Sequence, residues 1–113
     1  MKQFDLEQRT FDFAKFVRAF IQKVPNTIAH REDIKQLVRS SGSVGANYIE
    51  ANESLSKKDF LMRVKISRKE AKESRYWLEL LVVPVELETD RQALIVESTE
   101  LLKILSAIIS KSS

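Results

Sequence analysis

Apolar residues recur at intervals of three and four along nearly the whole chain, in four stretches separated by short breaks. From about Asp5 to Lys23, Leu6, Phe13, Phe16, Val17, Phe20, Ile21 and Val24 share one stripe, with Asp12, Lys15 and Arg18 away from it. This predicts a first helix with an apolar inner face. Phe11 lies off the stripe and is either a partly exposed edge ring or a contact with another subunit. Pro25 ends the helix, and Asn26 or Thr27 can cap the next, which is expected from about Ile28 to about Ser54.

In this second stretch, spelling and period disagree. Ser40, Ser41, Gly42, Ser43 and Gly45 read locally as a loop, because each interior glycine costs a helix about 1 kcal/mol relative to alanine. Yet Ile34, Leu37, Val38, Ser41, Val44, Gly45, Tyr48 and Ile49 keep the spacing of a buried helical face. The period is taken as decisive, with the small residues placed where a neighbouring helix presses closest. Ser56 and Asp59 resemble a capping box that starts a third helix ending before Pro84. Its face, Phe60, Val64, Ser67, Ala71, Ser74, Leu78, Leu81 and Val82, also carries small residues, so the glycines are expected against the third helix. Trp77 is off the centre of that face, as a rim residue that seals the core or packs between subunits. A fourth helix, about Asp90 to Ser110, carries Leu94, Ile95, Leu101, Leu102, Leu105, Ile108 and Ile109 inward, with Asp90 and Lys111 at the ends the helix dipole prefers. Short connections favour antiparallel neighbours, so the fold is predicted to be all-α, an up-down-up-down four-helix bundle in a single domain spanning residues 1–113.

Composition narrows the chemistry. There is no cysteine, hence no disulfide, thiol nucleophile or cysteine zinc site, and a single histidine, His30. The N-terminus is charged from Lys2 onward, and the longest apolar run, Leu80 to Val85, is broken by Pro84 and too short to span a bilayer. A soluble cytoplasmic protein is expected. The glycines of SSGSVGAN lack the lysine and the preceding strand of a phosphate-cradling loop. No serine triad can be assembled in one chain except through His30. Glu70 and Glu73 lack the Glu-x-x-His pairs of di-iron bundles. Catalysis, a metal and a cofactor are therefore not expected.

Charge is uneven. Lys57 to Arg75 holds eight basic residues against three acidic ones, whereas Tyr76 to Ser113 holds three against six. At the helical angle per residue, Lys57, Lys58, Lys65, Arg68, Lys69, Lys72 and Arg75 share about one third of the third helix's circumference, and Arg63 points elsewhere. Like charges at these spacings repel slightly, and either a solvated face, a neighbour's acidic residues or phosphates can accommodate them. As an electrostatic footprint for RNA or DNA, the stripe would read backbone and shape, since only Tyr76 at its edge offers base stacking. A second polar row, Arg39, Ser43, Asn47, Glu50 and Ser54, runs along the second helix opposite the apolar face. It suits either an interhelical network with Glu70 and Glu73 or a ligand or partner site.

The series RSSGSVGANYIEA, SKKDFLMRVKISRKEAKESRYWLELL and ESTELLKILSAIIS, with the opening DLEQRTFDFAKFVRAFIQKVP, resembles the bacterial four-helix-bundle family encoded in intervening sequences of 23S ribosomal RNA genes. Its most specific parts are Arg39, Ser43, Asn47 and Glu50 in the second helix and Glu70, Glu73, Trp77 and Leu78 in the third. Gly42 and Gly45 depart from the pattern, where larger residues are usual. The resemblance implies a ring of identical subunits, commonly a pentamer, and a relationship to accessory subunits of retroelement reverse transcriptases that bind nucleic acid and the polymerase. The expected partners are thus other copies of this chain, RNA or DNA, and a nucleic-acid-processing protein, without a membrane. The alternative is a scaffold ring that holds a protein partner and no nucleic acid.

Overall fold

Two side chains set the helix starts in the middle of the molecule. Thr27 Oγ1 accepts the backbone N–H of His30 at 3.1 Å, and Ser56 Oγ accepts that of Asp59 at 3.1 Å, so each satisfies a donor the first turn cannot. In the computed structural model, which describes residues 3–113 with side chains from Asp5 onward, they open the second and third of four helices. These are α1 (Gln3–Ile21), α2 (Ile28–Asn52), α3 (Lys57–Leu80) and α4 (Glu88–Ser112), with a 3-10 turn at Val85–Leu87 leading into α4. Lys2 and its contribution to the charged N-terminus lie outside the described residues. Among the described residues there is no strand, and no helix is long and apolar enough to cross a membrane.

Cross-helix contacts fix the directions. Asn52 reaches Glu7 while Gly42 lies beside Arg18, so α1 and α2 run antiparallel. Arg39 meets Glu73 while Asn47 meets Arg63, which reverses α3 relative to α2. Arg9 meets Glu97 while Lys23 meets Asp90, so α4 is antiparallel to α1. The turn from α3 to α4 is clamped by Arg91, whose Nε and Nη2 donate to the last carbonyls of α3, Leu78 O at 2.8 Å and Glu79 O at 2.9 Å. The result is an antiparallel four-helix bundle of about 45 × 23 × 19 Å.

The loop-like spelling of α2 makes no break. The helix is continuous through Ser40 to Gly45, and neither glycine has a positive φ. The close approach, however, is divided differently from the sequence expectation. Gly45 faces α1, where Thr10 Oγ1 stands 3.0 Å from the place of a Cβ, and the nearest group to Gly42 is the end of the Arg18 side chain. Against α3, α2 presents Ser40 and Val44 instead: Ser67 Oγ donates to Val44 O at 2.7 Å, and the Ser74 and Ser40 hydroxyls are 3.0 Å apart. Small residues thus serve two neighbours, since positions 40 and 44 point to one side of the core and 42 and 45 to the other.

Leu6, Phe13 and Val17 of α1, Leu37, Val44 and Tyr48 of α2, Val64 and Leu78 of α3, and Leu101 and Leu105 of α4 form the buried core. Three expected core residues are exposed. Phe16 is 63% exposed because α1 and α4 touch least among neighbouring helices, leaving the side of α1 that Phe16 occupies uncovered. Ile49, at the outer edge of α2, and Val82, past the end of α3, are also exposed. Phe11, off the stripe in sequence, is exposed in the fold.

Candidate nucleic-acid interface

Helical spacing carries the basic residues of α3 to one side, and antiparallel α4 forms the other wall. Lys65, Arg68, Lys69, Lys72 and Arg75 line a groove of about 410 Å³ with Leu102 and Ser106 of α4. Lys65, Lys69 and Lys72 are exposed, and Arg68 and Arg75 are half-buried beside Leu102 and Ser106. Lys57 and Lys58 occupy the first turn of α3. Lys58 borders an adjoining hollow with Lys65, Lys69, Met62 and Ile66, and Lys57 lines neither space.

The stripe is electrostatically unrelieved within the subunit. Among the described residues, only Arg75 of the stripe forms an ion pair, with Glu79 at 3.9 Å, and that partner is itself exposed. The other six stripe residues have no ion pair among the described residues. Such a row of cations raises a positive potential over the groove, which the low-dielectric wall of Leu102 strengthens.

A different side of α3 carries the second predicted set. Arg39 Nη2 donates to Glu73 Oε1 at 2.6 Å and Glu70 Oε1 at 3.2 Å. These bonds, Glu73 first and then Glu70, raise the guanidinium above its ordinary value. Ser43 Oγ donates to Arg39 O at 2.8 Å, Asn47 Nδ2 donates to Ser43 O at 2.9 Å, and Asn47 Oδ1 accepts from Arg63 Nη1 at 3.2 Å. The row therefore flanks the apolar face and meets α3, rather than lying opposite that face as its spacing suggested. Glu50 stays exposed and outside this network, with only its backbone carbonyl accepting from Ser54 at 3.1 Å. Trp77 packs half-buried against the core, edge-on to Tyr76 with ring centroids 5.0 Å apart. Its Nε1 is buried without a hydrogen-bond partner among the described residues.

Sequence reasoning brought the basic stripe and the Arg39, Glu70 and Glu73 set to the right helices. It missed Leu102 and Ser106, because apolar spacing along α4 assigned Leu102 to the inner side and gave Ser106 no role. It also missed that Glu70 is buried, with its side chain 8% exposed. Its spacing of three and four residues from Ser67 and Ser74 on the buried face is the signal that would have found it.

Comparison with known proteins agrees with the bundle. A crystal structure of a protein of unknown function from the S23 ribosomal protein family of Bacteroides thetaiotaomicron superposes with a TM-score of 0.79. The two share 32% identity over 97% of this chain and 99% of that one. No curated protein matches the sequence. Residues 2–107 match the family described as 23S rRNA-intervening sequence protein, and the chain belongs to that family.

Proposed function

We propose that this protein is a non-catalytic homo-oligomer, assembling as a pentameric ring, that binds structured RNA or DNA through the basic groove of α3 and α4. The observation that carries the reading is the convergence of Lys65, Arg68, Lys69, Lys72 and Arg75 on one groove, with no more than one long ion pair among them within the described residues. A solvated lysine face needs no such wall from a second helix. Phosphates in the groove would release counterions, and Ser106 adds a hydroxyl donor beside them. One subunit supplies a short footprint. A ring repeats it, and linked weak sites act together through their high effective concentration.

Fluorescence anisotropy with a labelled mixed-sequence RNA hairpin and a duplex DNA tests this at about 50 and 200 mM salt. Native protein should bind about tenfold or more weakly at the higher salt. The triple change Lys65→Glu, Lys69→Glu, Lys72→Glu should abolish binding while leaving assembly unchanged. Salt-insensitive or absent binding by native protein, or equal binding by the triple variant, removes the reading. If the triple variant dissociates into monomers, the stripe pairs with carboxylates of a neighbouring subunit, and the scaffold role takes its place.

A further inference from the structure

Two apolar faces flank α1, and each joins a projecting aromatic ring to a hollow. On the α4 side, Phe13, Phe20 and Leu94 floor a groove of about 580 Å³, and Phe16 stands at its lip, 63% exposed. On the α2 side, Gly42, Gly45 and Ala46 leave a shallow hollow of about 300 Å³, with Phe11 57% and Ile49 45% exposed at its edge. Exposed rings on both faces of one helix exceed the scattered apolar residues of an ordinary surface.

The faces are also complementary in charge. Around the α4-side groove stand three carboxylates, Asp12, Asp90 and Glu97, against two cations, Arg9 and Lys23. The α2-side hollow has the reverse balance, Lys15 and Arg18 against Glu7. Glu7 already accepts from Asn52, whereas among the described residues Arg18 donates only to Ala14 O of its own helix.

We propose that copies of this chain pair head to tail, with Phe11 of one copy seated in the α1/α4 groove of the next and Phe16 of that next copy seated in the hollow beside Gly42 and Ala46 of the first. This rests on the homo-oligomer reading above and supplies its contact. Because the two faces differ, the contact is heterologous, and its repetition closes a ring when the rotation permits. Gly42, the half-buried glycine of the pair, then has a purpose beyond packing: the flexible end of Arg18 stands over it and can move aside for a ring from another subunit.

Sedimentation velocity on native protein and on Phe11→Asp and Phe16→Asp, with circular dichroism to confirm the fold, tests the contact. Native protein should be oligomeric and each variant monomeric. An equal mixture of the two variants retains one intact pair of faces, so it should form a heterodimer of twice the 13.0 kDa chain mass and nothing larger. A native oligomer with either variant still assembling, or a mixture that stays monomeric, overturns the head-to-tail contact and leaves the homo-oligomer reading in place. A monomeric native chain overturns both.

Discussion

Thr10 Oγ1 lies 3.0 Å from the place a Cβ on Gly45 would take, and Thr10 Cβ lies 3.3 Å from it. Thr10 is fully buried, and its hydroxyl donates to Leu6 O at 2.9 Å, so it has little freedom to give way. Gly45→Ala gains about 1 kcal/mol of helix propensity, but overpacking of this kind costs about 1–3 kcal/mol. The expected net result is destabilisation in urea unfolding. In a Thr10→Ala background, where the nearest atom is gone, the same change should become neutral or stabilising. A gain in stability from Gly45→Ala on the native background contradicts the close approach of α1 and α2.

Gly42 should behave oppositely. A Cβ there meets only Arg18 Nη2 at 3.3 Å, the end of a flexible exposed side chain. Gly42→Ala is expected to stabilise the fold by up to about 1 kcal/mol. Measured in the Phe16→Asp background, the value excludes any contribution from assembly. Destabilisation there would place a rigid neighbour over this position.

Removal of Arg39 leaves Glu70 buried without its cation. Arg39→Ala should cost about 1–3 kcal/mol, below the loss for a fully buried pair because the Arg39 side chain is 49% exposed. Adding Glu70→Gln should recover part of that loss, since a buried amide is cheaper than a buried carboxylate. Urea unfolding of both variants checks this, and an equal loss in each would show that Arg39 acts through packing alone.

Alkali should act through Tyr48. Burial raises its phenol above the ordinary value, opposed by a hydrogen bond with Asn52. The folded state therefore holds this proton more tightly than the unfolded chain. Its contribution is whole below the ordinary tyrosine range, near about 10, and is lost as pH rises through the raised value. Tyr48→Phe should flatten the fall in unfolding free energy above about pH 10. An unchanged alkaline profile would assign the fall to other groups.

The helices were legible because spacing by three and four survives even where spelling favours a loop, and because Thr27 and Ser56 stand where caps are needed. Which neighbour each small residue meets was not legible. Spacing fixes a position's angle around its own helix, and the arrangement of the other helices then decided that Gly45 meets Thr10 while Val44 meets Ser67. Phe16 shows the same limit, since its place at the stripe's edge means burial only if α4 covers it. The basic stripe was readable from α3 alone. Its second wall, Leu102 and Ser106, depended on the register of α3 against α4, which no pattern within either helix records.

The most direct test of the phosphate groove is the slope of log binding constant against log salt concentration for a mixed-sequence RNA hairpin. Native protein should give a steep negative slope, and Lys69→Gln should make it shallower by about one for each subunit that contacts the RNA. A flat native slope, or one that Lys69→Gln leaves unchanged, contradicts the assignment of the α3 stripe to phosphate.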